Sequence, residues 1–118
     1  MRKIFIALGI ICLLIQGVEA HAEEFQDYTG AYLIQHCNNE KDSFVRGFCL
    51  GYIRSVVDLV LDSEVYLQDT PRFCVGEAPL KEWKAVVIQW LKKHPRDFHT
   101  SSRKVIVTAL TERFPCRD

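Results

Sequence analysis

The chain has 118 residues, with 15 Lys+Arg against 15 Asp+Glu and 48% hydrophobic residues. That length holds one domain and excludes a multidomain machine, and the zero charge balance argues against a protein that grips nucleic acid through its phosphates. Beyond residue 20, no stretch is apolar enough to cross a bilayer.

Arg2 and Lys3 precede an apolar run from Ile4 to Ile15, and Ala20-His21-Ala22 follows. A basic start, a short apolar stretch and an A-x-A site read as a secretory signal. The run is shorter than the roughly 20 residues a spanning helix needs. Cleavage is expected after Ala22, with Ala20 as the alternative. Cys12 raises the possibility of a lipid-anchored cysteine, but the bulky Ile11 before it fits lipoprotein processing poorly. The chain thus divides into a cleaved signal over 1–22 and one helical domain over 23–118. The mature part loses Arg2, Lys3 and Glu19, which leaves a net charge of −1.

In the mature chain, Thr29 can cap a first short helix from Gly30 to about Cys37, with Tyr32, Leu33 and His36 on one side. Asn38 and Asn39 make a turn, after which Asp42 or Ser43 can cap a longer helix to about Asp62. Val45, Phe48, Cys49, Tyr52, Val56, Leu59 and Val60 recur there at spacings of three and four, and Leu50, Ile53, Val57 and Leu61 cover much of the rest. A helix apolar nearly all round is expected to be central and buried. Gly47 and Gly51 share one face of it, where a neighbouring helix is expected to approach closely.

Ser63 to Ala78 breaks the pattern with Pro71 and Gly76. Pro79 then suits the first turn of a third helix, to about Lys93, with Leu80, Trp83, Val87, Trp90 and Leu91 as its stripe. His94-Pro95 ends it, because the residue before a proline disfavours the helical region. A fourth helix runs from about Arg96 or Thr100 to Arg113, with Val105, Ile106, Ala109 and Leu110 inward. There is no strict apolar–polar alternation and no internal repeat. The expected fold is all-α, a small bundle of about four to five helices.

Cys37, Cys49, Cys74 and Cys116 remain after signal cleavage. An even count in a small exported chain reads as two intrachain disulfides, for which three connectivities exist. Cys49 lies about 20 Å before the end of the second helix, and the residues from Ser63 to Phe73 can extend about 36 Å. That reach favours Cys49 with Cys74 and Cys37 with Cys116. A Cys37–Cys49 bridge fits less well, because the two are expected at different depths of a helical hairpin.

A search for chemistry finds no active site. His36-Cys37 looks like part of a nucleophilic pair, but a nucleophilic thiol must be free, and the disulfide reading is favoured. His94 and His99 are five apart around a proline, a poor spacing for two ligands, and no metal or cofactor is expected. Asp58 is within reach of Arg54 four residues earlier, which suggests a surface pair. Trp83 and Trp90 read as core. No P-loop, serine elbow or paired carboxylates with a pocket signature occur, so the chain is expected not to be an enzyme.

Phe48-Cys49-Leu50-Gly51-Tyr52-Ile53 followed by Asp58, then Phe73-Cys74, then Trp90-Leu91 with His94-Pro95 and His99, then Ala109-Leu110 and Phe114-Pro115-Cys116 form a specific combination. From about Tyr28 to Cys116, this combination resembles the Tai family, immunity proteins against type VI secretion amidase effectors. One departure is that family members often carry a proline soon after the FC, whereas Val75-Gly76-Glu77-Ala78 precedes Pro79 here.

The resemblance implies a periplasmic, all-helical homodimer with disulfides. It also implies that the chain binds and blocks a secreted peptidoglycan amidase, a cysteine peptidase acting on the cell-wall stem peptide. No nucleic acid and, after signal cleavage, no membrane is expected as partner. The Ser63–Ala78 segment, with Glu64, Tyr66, Gln68 and Asp69, is the expected contact with the effector's cleft, around a small apolar centre at Tyr66 and Leu67. The alternative is a periplasmic acid-stress chaperone, another class of small helical disulfide-containing proteins.

Overall fold

The computed structural model describes residues 28–62 and 72–117. The signal segment and its cleavage sites lie outside them. Helix α1 spans Gly30–Cys37, α2 Ser43–Asp62, α3 Leu80–Lys93 and α4 Ser102–Arg113, with a 3-10 helix over Pro95–His99 between the last two. The described residues contain no strand, only two isolated bridges, Thr29 with Ser101 and Phe73 with Pro115. The fold is all-α with two disulfides.

Three of the four helices begin where a side chain supplies a partner for orphan N–H groups. Thr29 Oγ1 accepts from the Tyr32 N–H at 3.4 Å. Asp42 Oδ1 accepts from Phe44 and Val45 at 2.9 and 3.1 Å, so the aspartate rather than Ser43 caps α2. Pro79 stands at the N-cap of α3 in an extended conformation. The fourth helix starts later than Arg96, because Pro95–His99 winds as a tighter 3-10 turn and Ser101 supplies the cap.

The core is built from Leu33 of α1, Ile53 and Val57 of α2, Val87 and Leu91 of α3, and Ile106 and Leu110 of α4, joined by Phe73. Burying such a side chain stabilises the fold by about 1.5–3 kcal/mol relative to exposure. The start of α1 is pressed against the 3-10 turn. Gly30 donates its N–H to Thr100 O at 2.8 Å, and a Cβ at position 30 would fall 2.9 Å from both Asp97 O and Leu91 Cδ2. Beside it, Ser102 is fully buried and its hydroxyl donates to Thr29 O at 2.7 Å. These bonds fasten the entry of the chain to the start of α4.

Three expectations are corrected. First, α2 is not buried all round: Cys49, Ile53, Val56 and Val57 face the core, while Phe44 is 80% exposed and Leu59 and Leu61 about half. Four helices around one small core cover only one side of α2. Second, the close helix approach falls at Gly30, not at Gly47 and Gly51; among the described residues nothing lies within 4 Å of a Cβ built at either.

Third, the disulfides join Cys37 to Cys49, with Cα atoms 5.2 Å apart, and Cys74 to Cys116, 4.9 Å apart. Cys49 lies in the second turn of α2, and the 5.2 Å separation sets that turn beside Cys37, the last residue of α1. The Cys74–Cys116 link is set by backbone pairing: Phe73 bridges Pro115, and the Cys74 N–H donates to Phe114 O at 2.8 Å. The loop after Cys74 turns at Gly76 with φ +54°, and the Ala78 N–H closes it on Val75 O, so glycine makes the turn there.

Candidate functional site

Two surfaces stand out among the described residues. The larger is an open groove of about 560 Å³ between α2 and α3, closed at one end by the α1–α2 connector. Leu50, Ala85 and Ile88 line it with apolar atoms, and Arg46, Lys81, Lys84 and Lys92 bring four cations to the same lining. Lys81, Lys84, Ile88 and Lys92 fall on one side of α3 because their spacings of three and four match the helical repeat. Glu40 is the sole carboxylate in the lining.

The connector that forms the end wall is held from several directions. The Cys37–Cys49 disulfide fixes its start. Asn39 Oδ1 accepts from the Lys41 and Asp42 N–H groups, both at 3.2 Å. Arg46 donates through Nη1 to Glu40 O at 3.1 Å, and Lys84 Nζ donates to the Glu40 carboxylate. The Lys84 hydrogen bond, and then its charge, hold the Glu40 carboxyl below its ordinary value of 4.5.

The second surface is an aromatic face shared by α1 and α2. Tyr28 lies 4.6 Å from Tyr32, and His36 stacks on Tyr32 at 3.8 Å. Phe48 and Tyr52 meet Tyr28 edge-on at 5.8 and 5.7 Å. All five rings are half-buried. His36 points its Nδ1 at Tyr32 O, 2.8 Å away, and His94 repeats the arrangement with Trp90 O at 2.7 Å while stacking on Trp90. A carbonyl oxygen can only accept, so Nδ1 carries the proton in both rings. That bond turns both imidazoles into packing groups at helix ends.

The remaining chemistry-bearing residues have structural roles. All four cysteines of the described residues are in disulfides, which removes Cys37 as a nucleophile. Arg54 donates to both oxygens of Asp58 at 2.7 and 2.9 Å on the exposed side of α2, as the spacing suggests. Trp83 is core, whereas Trp90 is half-buried with its indole N–H on Glu112 at 2.8 Å. No group of three or more His, Cys, Asp or Glu that could hold a metal occurs among the described residues, and no described helix is long and apolar enough to cross a membrane. Glu64, Tyr66, Gln68 and Asp69 lie outside the described residues.

The groove was missed by the sequence reading. Its signal was there in Lys81, Lys84 and Lys92 on one side of a helix, but that spacing equally describes an ordinary solvated face. What makes it a groove is the tethered connector, which no local pattern reveals.

The described residues form a small helical domain held by two disulfides, with a recessed groove and an aromatic face. In a comparison with family models, residues 29–116 match the model of the Rap1a immunity proteins, and the chain belongs to that family. No match was found among curated proteins or solved structures. An immunity protein acts by binding a cognate toxin, a role that calls for no catalytic machinery of its own.

Proposed function

We propose that the mature chain is a periplasmic immunity protein that binds and inhibits a type VI secreted peptidoglycan amidase, shielding the cell wall from attack by sibling cells. The observation that carries this reading is the family match over 29–116, which spans all four helices and both disulfides. The amidase, a cysteine peptidase, is the target class favoured by the resemblance to the Tai family. The signal-like start and the even set of oxidised cysteines support an oxidising, extracytoplasmic location. The same resemblance supports a homodimer.

Inhibition needs a segment that obstructs the enzyme's cleft. The segment between α2 and α3 is our candidate, with Glu64, Tyr66, Gln68 and Asp69 as its contacts. Its flanks support this role: α2 leads into it at Asp62, α3 follows it from Leu80, and the Cys74–Cys116 link anchors it in between. The test is cell-wall cleavage by an amidase encoded beside this chain, with and without the purified mature protein. A triple change of Glu64, Tyr66 and Asp69 to Ala is expected to lose inhibition. Full inhibition by that variant would remove the segment from the mechanism while leaving the immunity role standing.

A further inference from the structure

The groove between α2 and α3 combines a concave shape, apolar lining residues and an excess of positive charge. Arg46, Lys81, Lys84 and Lys92 stand around it against one carboxylate, Glu40, which is already bound to Lys84. Among the described residues no ion pair engages Lys81 or Lys92, and both are exposed. The whole chain carries no net charge, so this local excess is a feature of placement.

Its dimensions suit a short peptide. From Lys81 to Lys92 the helix rises about 16 Å, the span of about five extended residues. The volume lies within the range of about 300–1,000 Å³ typical of sites that enclose a ligand. Ile88 lies between Lys84 and Lys92 along α3 and Leu50 joins it in the lining, so the fitting ligand has carboxylates at both ends and an apolar side chain between them. A bare inorganic anion would leave the apolar lining unused. The end wall is preset by the Cys37–Cys49 disulfide and the Glu40 contacts, which lowers the ordering cost of binding.

We infer that this groove is a docking site for a short acidic segment of the protein partner, with an apolar side chain seated on Leu50 and Ile88 and carboxylates held by Lys81, Lys92 and Arg46. The inference rests on the immunity reading for the identity of that partner, and adds a second contact on residues other than those of the 63–78 segment. Glu40 occupies Lys84 as an internal stand-in for one partner carboxylate. Removing its charge therefore frees a cation and strengthens binding.

The experiment has two arms, both on the mature chain. In the first, backbone amide resonances are followed as the peptide Ac-Glu-Asp-Leu-Val-Asp-Glu-NH2 is added, against its Gln/Asn counterpart and inorganic phosphate. The acidic peptide is expected to shift resonances around Arg46, Lys81 and Lys92, and the neutral peptide is not. No shift there, or the same pattern from phosphate alone, would overturn the inference. In the second, binding of the co-encoded effector is measured for the wild type, K81E/K92E, E40Q and the control R103E/K104E, whose changes lie outside the groove. K81E/K92E is expected to bind roughly tenfold more weakly or worse, chiefly through faster dissociation, with the control unchanged and E40Q tighter. Equal binding by K81E/K92E and wild type would remove the groove from the interface while leaving the immunity role intact. If the wild type itself binds no effector, the immunity reading for that effector fails, and the peptide arm decides the groove alone.

Discussion

Lys84 of α3 and Glu40 of the α1–α2 connector, 44 residues apart in the chain, share a hydrogen-bonded ion pair in the lining of the basic groove. It is the only ion pair among the described residues that ties the connector to α3, and it is unequally placed: the Lys84 side chain is 17% exposed and that of Glu40 65%. The pair closes the end of a groove whose remaining charges face solvent.

That pair gives a pH dependence with a defined sign. The folded Glu40 carboxyl titrates below its ordinary value of 4.5, because Lys84 favours the charged form. Its contribution is therefore fully present above 4.5 and is lost as pH falls through the lowered folded value. The urea midpoint of the wild type should exceed that of E40Q at neutral pH, and the difference should close only in acid. A difference that persists unchanged at pH 2 would show that the charge of Glu40 is not involved.

Glycines should respond in opposite directions. Gly30→Ala places a methyl group 2.9 Å from Asp97 O, a backbone atom that cannot move aside cheaply, and should cost about 1–3 kcal/mol, as overpacking does. Gly47→Ala enters open space on an exposed helix face and should stabilise by about 0.5–1 kcal/mol. Thermal melts of the two variants decide this. A loss at position 47 would mean that the face is covered in solution, as in a dimer built on α2.

Helix positions were readable in the sequence because the punctuation is local. Thr29, Asp42, Pro79 and His94-Pro95 mark boundaries through their own backbone chemistry, and the structure uses each of them. Burial on α2 was less readable. Phe44 and Leu59 carry the same hydropathy as their buried neighbours, and only the number of surrounding helices decides which side is covered. The disulfide pairing needed the length and path of the Asn38–Asp42 connector, which spacing alone does not supply. The groove was hidden for the same reason, since it exists only where that connector meets α3.

The two disulfides should differ in weight. In the chain-entropy description, closing the 74–116 loop stabilises by about 4 kcal/mol and the 37–49 loop by about 3 kcal/mol. Denaturant titrations of the C74A/C116A and C37A/C49A pairs should preserve that order. The second pair should also weaken the acidic peptide's binding, because it frees the groove's end wall. Peptide mapping without reduction should recover Cys37 linked to Cys49; recovery of Cys49 linked to Cys74 would contradict the fold described.

Ser102→Ala removes a buried hydroxyl whose acceptor, Thr29 O, also receives the Leu33 N–H at 2.9 Å. The carbonyl stays satisfied, so the cost should be about 0.5–1.5 kcal/mol rather than that of an orphaned buried group. A urea titration gives the value directly. A loss well above this range would indicate that the joint between residue 29 and the start of α4 opens as a unit.

The central claim is that the mature chain neutralises a secreted amidase by binding it. Calorimetric titration of the mature protein into the co-encoded effector at neutral pH, paired with a cell-wall cleavage assay, tests it most directly. The account predicts saturable binding, one subunit per effector, with cleavage abolished at saturation. No heat and undiminished cleavage at micromolar protein would contradict it.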